Sequence, residues 1–318
     1  MKNALYYKYS TYLKDKYGVR VHRISIDAGF TCPNRDGTLS NTGCIYCDYK
    51  GSGSGAYLVH RIPIEEQVKK GIEFAKKRFK AKKFFIYFQS FTNTYAPLII
   101  LKRVYEKALS LTPYKDDIVG LIIGTRPDCV PDPVLDLISS YQDRGLEVWV
   151  EYGLQSIHYK TLKRVNRGHG IWEVFDAITR SRKRGLKVTL HTIIGLPGEE
   201  KDEIMETAKV ISTQDVQGIK IHPLYIVKDT PLAKMYSMGK YTPLTLSEYI
   251  ALVSEYITYL RKDIIIQRIT GDASREDLIA PPWILEKTKV LSMIEDYLKT
   301  HDLYQGKNWP IKSKINIW

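Results

Sequence analysis

Lys83-Phe-Phe-Ile-Tyr-Phe-Gln89 is a short apolar run closed by a polar residue at each end. Such a run has the mark of a strand buried on both faces. Ile118-Val-Gly-Leu-Ile-Ile-Gly124 also reads as a strand, and so do Leu146 to Tyr152, Leu186 to Ile194 and Val216 to Tyr225. The intervening segments carry helical periodicity, at about 97–111, 131–144, 171–184 and 200–212. Upstream, Val19 to Asp27 alternates and is rich in β-branched residues, as a strand is, and residues 4–18 read as a helix ending at Gly18. A helix follows from about Pro63 to Lys80, with Pro63 suited to its first turn. Six strand-then-helix steps result. A parallel sheet is built this way, because each crossover needs a helix. Six steps are too few for a closed eightfold barrel, so the expected fold is α/β, an open partial (β/α)6 barrel. Ligands then belong at the C-terminal ends of the strands.

Beyond Tyr225 the pattern changes. Residues 246–262 read as a helix, Asp263 to Arg268 as a strand and 284–300 as a helix. The expected organisation is a barrel over 1–232 and a small α/β extension over 233–318, packed on the barrel and serving substrate binding. The last residues, Gln305 to Trp318, are basic, carry two tryptophans and have little periodicity. The tail reads as lying over the domain or over a ligand. Tyr49-Lys-Gly-Ser-Gly-Ser-Gly-Ala56 is flexible by composition.

The loop after the first predicted strand holds three of the four cysteines, Cys32, Cys44 and Cys47, in the spacing C-x11-C-x2-C. Three thiolates can hold three irons of a [4Fe–4S] cluster and leave the fourth open to a ligand. The competing reading is a zinc site completed by His22 or His60, although structural zinc takes four protein ligands. Cys129 lies at another strand end and reads as a buried thiol. Four cysteines without a disulfide pattern suit a reducing cytoplasm. No run of about eighteen apolar residues occurs to span a membrane, and the N-terminus lacks the apolar core of a secretory signal.

The net charge of +13 over 318 residues attracts phosphate backbones, and the 23 tyrosines offer stacking surfaces. Solvated lysines and packed aromatics account for the same numbers without nucleic acid.

Polar clusters recur where strands end. Glu151-Tyr-Gly-Leu-Gln-Ser156 closes the fourth strand, where Glu151 and Gln155 either bond ribose hydroxyls or satisfy buried backbone. His191-Thr-Ile-Ile-Gly-Leu-Pro-Gly198 closes the fifth, with His191 aimed at a ligand or into the barrel. Asp128 reads as a cap for the next helix. Arg268, Asp272 and Arg275 lie in a loop that either grips phosphate or a carboxylate or is merely solvated.

With these segments in their order, the chain resembles a radical S-adenosylmethionine enzyme over about residues 5–300. Within that superfamily it resembles the short bacterial proteins related to the elongator catalytic subunit. The resemblance implies a [4Fe–4S] cluster on Cys32, Cys44 and Cys47. It implies S-adenosylmethionine on the open iron, cleaved by one electron to a 5′-deoxyadenosyl radical. The long first cysteine gap departs from the usual superfamily spacing and is similar to the elongator-like branch. Tyr46 occupies the position that contacts adenine. Gln89-Ser90-Phe-Thr92 stands where the strand edge binds the methionine amino group, and the usual glycines are absent. Thr125 lies in Gly124-Thr-Arg-Pro-Asp128, which resembles the elongator-like segment. Arg167 matches the position that holds the methionine carboxylate. Gly-Leu-Pro-Gly and the backbone of Leu224, Tyr225 and Ile226, in Lys220-Ile-His-Pro-Leu-Tyr-Ile-Val, complete the adenine pocket by the same resemblance.

The resemblance extends neither to an acetyltransferase domain nor to the extra cysteines of methylthio-transferring relatives. It implies modification of tRNA at wobble uridine 34, with removal of the carboxymethyl arm from 5-carboxymethylaminomethyluridine to leave 5-aminomethyluridine. A radical on the glycine-like methylene would weaken the adjacent C–N bond. Flavodoxin or ferredoxin is the implied electron donor. Two rivals remain: a radical enzyme acting on a small molecule, and a non-catalytic iron–sulfur or zinc protein that binds nucleic acid. Tyr95, Tyr152 and Tyr225 lie near strand ends and are candidates to carry a radical.

Overall fold

The computed structural model describes residues 4–51, 53 and 55–310. Its strands are β1 (Val21–Ile26), β2 (Lys83–Phe88), β3 (Ile118–Thr125), β4 (Glu147–Gln155), β5 (Lys187–Ile194), β6 (Gly218–Pro223), β7 (Ile226–Val227), β8 (Ile265–Arg268) and β9 (Leu278–Ala280). Its helices are α1 (Tyr9–Tyr17), α2 (Ile64–Phe79), α3 (Leu98–Leu109), α4 (Asp132–Ser140), α5 (Tyr159–Arg164), α6 (Ile171–Lys183), α7 (Lys201–Thr213), α8 (Pro231–Ser237), α9 (Leu246–Thr258) and α10 (Lys287–Thr300). Seven strands form one parallel sheet in the order β1-β2-β3-β4-β5-β6-β8. It is a curled half-barrel with helices outside, one strand wider than the six-step reading. The seventh strand comes from the segment read as the extension, because Gly218 and Ile219 of β6 offer a free edge to Ile265 and Ile266.

Strand alternation separates two faces. Phe84, Ile86 and Phe88 point into the large core shared with the outer helices, while Phe85 and Tyr87 point inward. Val68, Ile72 and Ala75 put one apolar stripe of α2 on that outer core. The inner face at the N-terminal strand ends is closed by α1. Tyr9 and Leu13 pack there on Phe85, Tyr87, Ile122, Trp149 and Ile265. Glu147 lies at this floor, accepting hydrogen bonds from Tyr12 (2.6 Å), Tyr17 (2.9 Å) and Trp149 Nε1 (2.5 Å), with Lys16 and Lys187 as ion partners.

The edges β1 and β8 do not pair with each other. Residues 4–18, read as one helix, therefore divide. Helix α1 starts at Tyr9, and the preceding chain lies along β8, with Ile266 N donating to Tyr7 O at 2.8 Å. Backbone pairing there satisfies an exposed strand edge. Across the remaining gap Arg23 Nη1 donates to Gln267 Oε1 at 3.2 Å. The strand read over 216–225 is shorter, Gly218–Pro223, and just beyond it β7 leaves the sheet to pair antiparallel with β9. Gln305 opens the tail by bonding Tyr7 N, Arg261 O and Ile264 O. The rest of that tail, 311–318, lies outside the described residues. No helix among the described residues is long and apolar enough to cross a membrane.

Candidate active site

A cavity of about 250 Å³ sits at the C-terminal ends of the strands and is lined by Cys32, Cys44 and Cys47. The loop carrying them is fixed at both ends. After β1, Asp27 Oδ2 accepts from Tyr57 N and Leu58 N, while Gln67 bonds the Asp27 backbone at N and O. Arg35 Nη1 donates to Cys47 O (3.1 Å) and Asp48 O (2.6 Å). On the far side the segment after α5 clamps the loop. Asn166 Nδ2 donates to Gly43 O at 2.7 Å, Asn34 Nδ2 to Asn166 O at 2.6 Å, and Ile45 N to Val165 O at 3.1 Å.

The thiols do not converge on a point. Among the described residues no three His, Cys, Asp or Glu side chains are placed to hold a single metal ion. Three corners of an iron–sulfur cube need thiols spread around a larger body, and these three border one space. Burial, then the neighbouring Cys44, pushes the Cys47 thiol up to about 12. A metal must therefore displace its proton. Cys129 lies outside this cavity and is half-buried rather than buried.

Arg167 stands beside the cysteines. Its Nη1 donates to Cys44 Sγ at 3.7 Å, and its Nη2 to Gly153 O at 2.8 Å. Gly153 is needed for that approach, since a Cβ there would lie 2.5 Å from Nη2. Beyond it Gln155 adopts φ +71°, and the β4–β5 register shifts between the two. Arg126, buried and gripped by Asp128 at 2.9 and 2.8 Å, donates to Arg167 O at 2.9 Å. Asp128 thus fixes an arginine instead of capping α4, whose N-cap is Pro131.

Glu151, Lys220 and His191 form a buried group deeper in the cavity. Glu151 Oε2 accepts from Lys220 Nζ at 2.5 Å and from His191 Nε2 at 2.8 Å. A carboxylate only accepts, so His191 carries its proton on Nε2. Burial alone would raise the Glu151 carboxyl, but Lys220 and His191 outweigh it and hold it well below the usual carboxylate range. The Lys220 ammonium also lies over the Tyr87 ring, 4.3 Å from its centroid.

Most residues singled out from sequence meet here. Tyr46, Gln89, Thr92 and Thr125 line the cavity, as do Glu151, Gln155, Arg167 and His191, and Leu224 and Tyr225 close it. Ser90 is buried behind the wall, against Gly53. Ile226 turns instead into a small core with Leu224, Val165 and Leu232, because it belongs to β7. Tyr152 points outward, its hydroxyl 2.7 Å from Ser181 Oγ, and Tyr95 bonds Thr38 at 2.9 Å. Of the three tyrosines read as radical carriers only Tyr225 reaches the cavity. Arg268 and Asp272 line it, whereas Arg275 is exposed elsewhere. Sequence reasoning missed Tyr87, Lys220 and His222, although strand alternation places Lys220 and His222 on the same face.

Several lining atoms lack partners. Thr92 Oγ1, Tyr46 OH, Glu151 Oε1 and His222 Nε2 are buried with no hydrogen bond. Buried polar atoms are rarely left unpaired. This cavity is therefore shaped for a ligand rich in hydrogen-bonding groups.

Residues 37–211 match the model of the radical SAM superfamily, and residues 216–300 that of the radical SAM C-terminal domain. The chain is 40% identical to the uncharacterized protein MJ0486 of Methanocaldococcus jannaschii over 304 residues, covering 95% of this chain and 92% of that one. It is 29% identical to a tRNA uridine(34) acetyltransferase of Dehalococcoides mccartyi over 158 residues, 48% of this chain and 33% of that protein. Among solved structures, the N-terminally deleted Elp3 of Methanocaldococcus infernus superposes with a TM-score of 0.68 at 19% identity. That match covers 90% of this chain but only 64% of the Elp3 chain, and it shows a shared fold.

Proposed function

Because the chain belongs to the radical SAM superfamily, we propose that Cys32, Cys44 and Cys47 hold a [4Fe–4S] cluster and that the protein modifies tRNA at wobble uridine 34. The observation that carries this reading is the convergence of three loop cysteines with unpartnered Thr92 Oγ1, Tyr46 OH and Glu151 Oε1 around one cavity. When bound, the cluster and S-adenosylmethionine supply a 5′-deoxyadenosyl radical. The chain's residues position and enclose them. Arg167, held by Gly153 O and Arg126, keeps a cation beside Cys44 and near the place of a methionine carboxylate. Thr92 offers an acceptor for an amino group and Glu151 Oε1 one for a ribose hydroxyl. Leu224 and Tyr225 close the side suited to adenine.

The RNA substrate is supported by similarity to tRNA uridine(34) acetyltransferases and by the net charge of +13. Each neutralised phosphate adds about 0.7–0.9 to the salt slope of binding. The reaction we assign is removal of the carboxymethyl arm from 5-carboxymethylaminomethyluridine, with a flavodoxin or ferredoxin as electron donor. Residues 233–318 we read as the part that meets the substrate.

The test is reductive cleavage by anaerobically reconstituted protein, with and without bulk tRNA from a strain lacking the gene. A rise in 5′-deoxyadenosine with tRNA, together with a mass change at the wobble uridine, is expected. Formation of 5′-deoxyadenosine with no altered nucleoside would point to a small-molecule substrate. Absence of cleavage with an intact cluster would leave a binding protein.

A further inference from the structure

The edges β1 and β8, which do not pair with each other, leave a lateral groove of about 900 Å³ that shares Tyr87, Gln89, Arg268 and Asp272 with the cavity. Arg268 stands at the junction. Its β8 position pairs with Lys220 of β6, which puts it one strand away from the buried Glu151 group. Around this junction four cations, Arg23, Lys220, Arg268 and Lys287, face two carboxylates, Glu151 and Asp272. Glu151 is already bound by Lys220 and His191. Asp272 is largely exposed and reaches Arg268 at 3.4 Å and Lys287 at 3.8 Å. Positive charge is in excess there, beside an unpartnered His222 Nε2.

We propose that Arg268, Lys220 and His222 form a carboxylate subsite, entered through the β1–β8 groove, that takes the acidic end of the substrate's side arm. It rests on the tRNA reading above and names how that substrate is held. An excess cation in a partly desolvated site favours an anion more strongly than one in water. Arginine is also the side chain whose fork pairs both carboxylate oxygens. Burial is the main influence on Lys220 and lowers its pKa; Glu151 opposes this, and Arg23 and Arg268 add to the lowering. For His222, burial and then Arg268 act in the same downward direction. The lesser contributions, from Arg23 and Arg268 on Lys220 and from Arg268 on His222, come from the positive charge gathered at this junction.

The test is equilibrium binding by reconstituted protein. The probes are anticodon stem-loops bearing 5-carboxymethylaminomethyluridine, 5-aminomethyluridine or uridine at the wobble position, and the two modified nucleosides free. Wild type should prefer the carboxylate-bearing probe about tenfold, near 1.4 kcal/mol in binding. Arg268→Gln should abolish that preference and keep its iron content, and Arg268→Lys should retain part of it. Equal binding of the two modified probes by wild type, or an undiminished preference in Arg268→Gln, overturns the subsite. Stem-loops bound without preference leave the RNA reading standing and remove the subsite. A preference among free nucleosides with no stem-loop binding does the reverse. If a nucleoside 5′-phosphate gains affinity whatever its arm and loses it in Arg268→Gln, the site takes phosphate and the carboxylate assignment is overturned.

Discussion

Lys220→Met isolates the buried ion pair at the centre of the site. The side chains of Lys220 and Glu151 are 1% and 0% exposed, and they meet at 2.5 Å. No screening discount applies at that depth. Removing one partner of a buried pair typically costs about 3–5 kcal/mol, since the other charge is left uncompensated. His191 still donates to Glu151 Oε2, so the lower end applies. Unfolding entropy of about 2.1 cal/mol/K per residue gives roughly 0.7 kcal/mol/K for a chain of 318 residues. A loss of about 3 kcal/mol then lowers Tm by about 4–5 °C. The sign with pH follows from Glu151, whose pKa is depressed in the folded state. Its stabilisation is fully present above the unfolded carboxylate value of about 4.3 and is lost as pH falls through the folded value. The gap between wild type and variant is therefore widest at neutral pH and narrows in acid, where the variant's Glu151 takes up a proton. The double variant Glu151→Gln/Lys220→Met removes both charges and should recover at least half the loss. Thermal unfolding of the three apo-proteins, followed by circular dichroism from pH 4 to 8, measures all of this. A single variant as stable as wild type at pH 7, a gap that widens in acid, or a double variant no better than the single would refute the reasoning.

Alanine at Cys32, Cys44 or Cys47 should each abolish iron and sulfide retention after anaerobic reconstitution, while Cys129→Ala retains both; elemental analysis decides. Gly153→Ala drives a Cβ against the Arg167 guanidinium, 2.5 Å away as built. It should cost about 1–3 kcal/mol of stability and reduce S-adenosylmethionine binding, read by equilibrium dialysis. Glu147→Gln leaves Lys16 and Lys187 without their carboxylate at the floor of the barrel. Because both lysines are partly exposed, screening trims the effect to about 2 kcal/mol, read as a lower urea midpoint. Glu147 too has a lowered pKa, since Lys16 and Tyr12 outweigh the upward push of burial, so this loss also shrinks as pH falls below about 4.3.

The parallel α/β architecture was legible in the chain because β2 and β3 are apolar on both faces, the later strands keep an apolar outer face, and each crossover has helical period. Lys83 to Phe88 and Ile118 to Thr125 were found almost to the residue. The cysteine spacing and the polar residues at strand ends named most of the cavity wall for the same reason: a parallel sheet gathers its strand ends at one rim. What sequence could not give was everything set by edge pairing. Whether Ile265 to Arg268 joins the sheet depends on β6 having a free edge, and no local pattern records that. The edge also decided that residues before Tyr9 lie along β8 and that β1 and β8 leave a groove between them. Ile226 turned away from the cavity because a second pairing, with Ala280, took its strand out of the sheet. Lys220 is the sharpest case. In sequence it is one lysine in a chain rich in them. Only the juxtaposition of β4, β5 and β6 buries it beside Glu151 and His191, where desolvation makes each charge depend on its partner. Residue type and period determined which elements form, and long-range pairing and burial decided which charges meet.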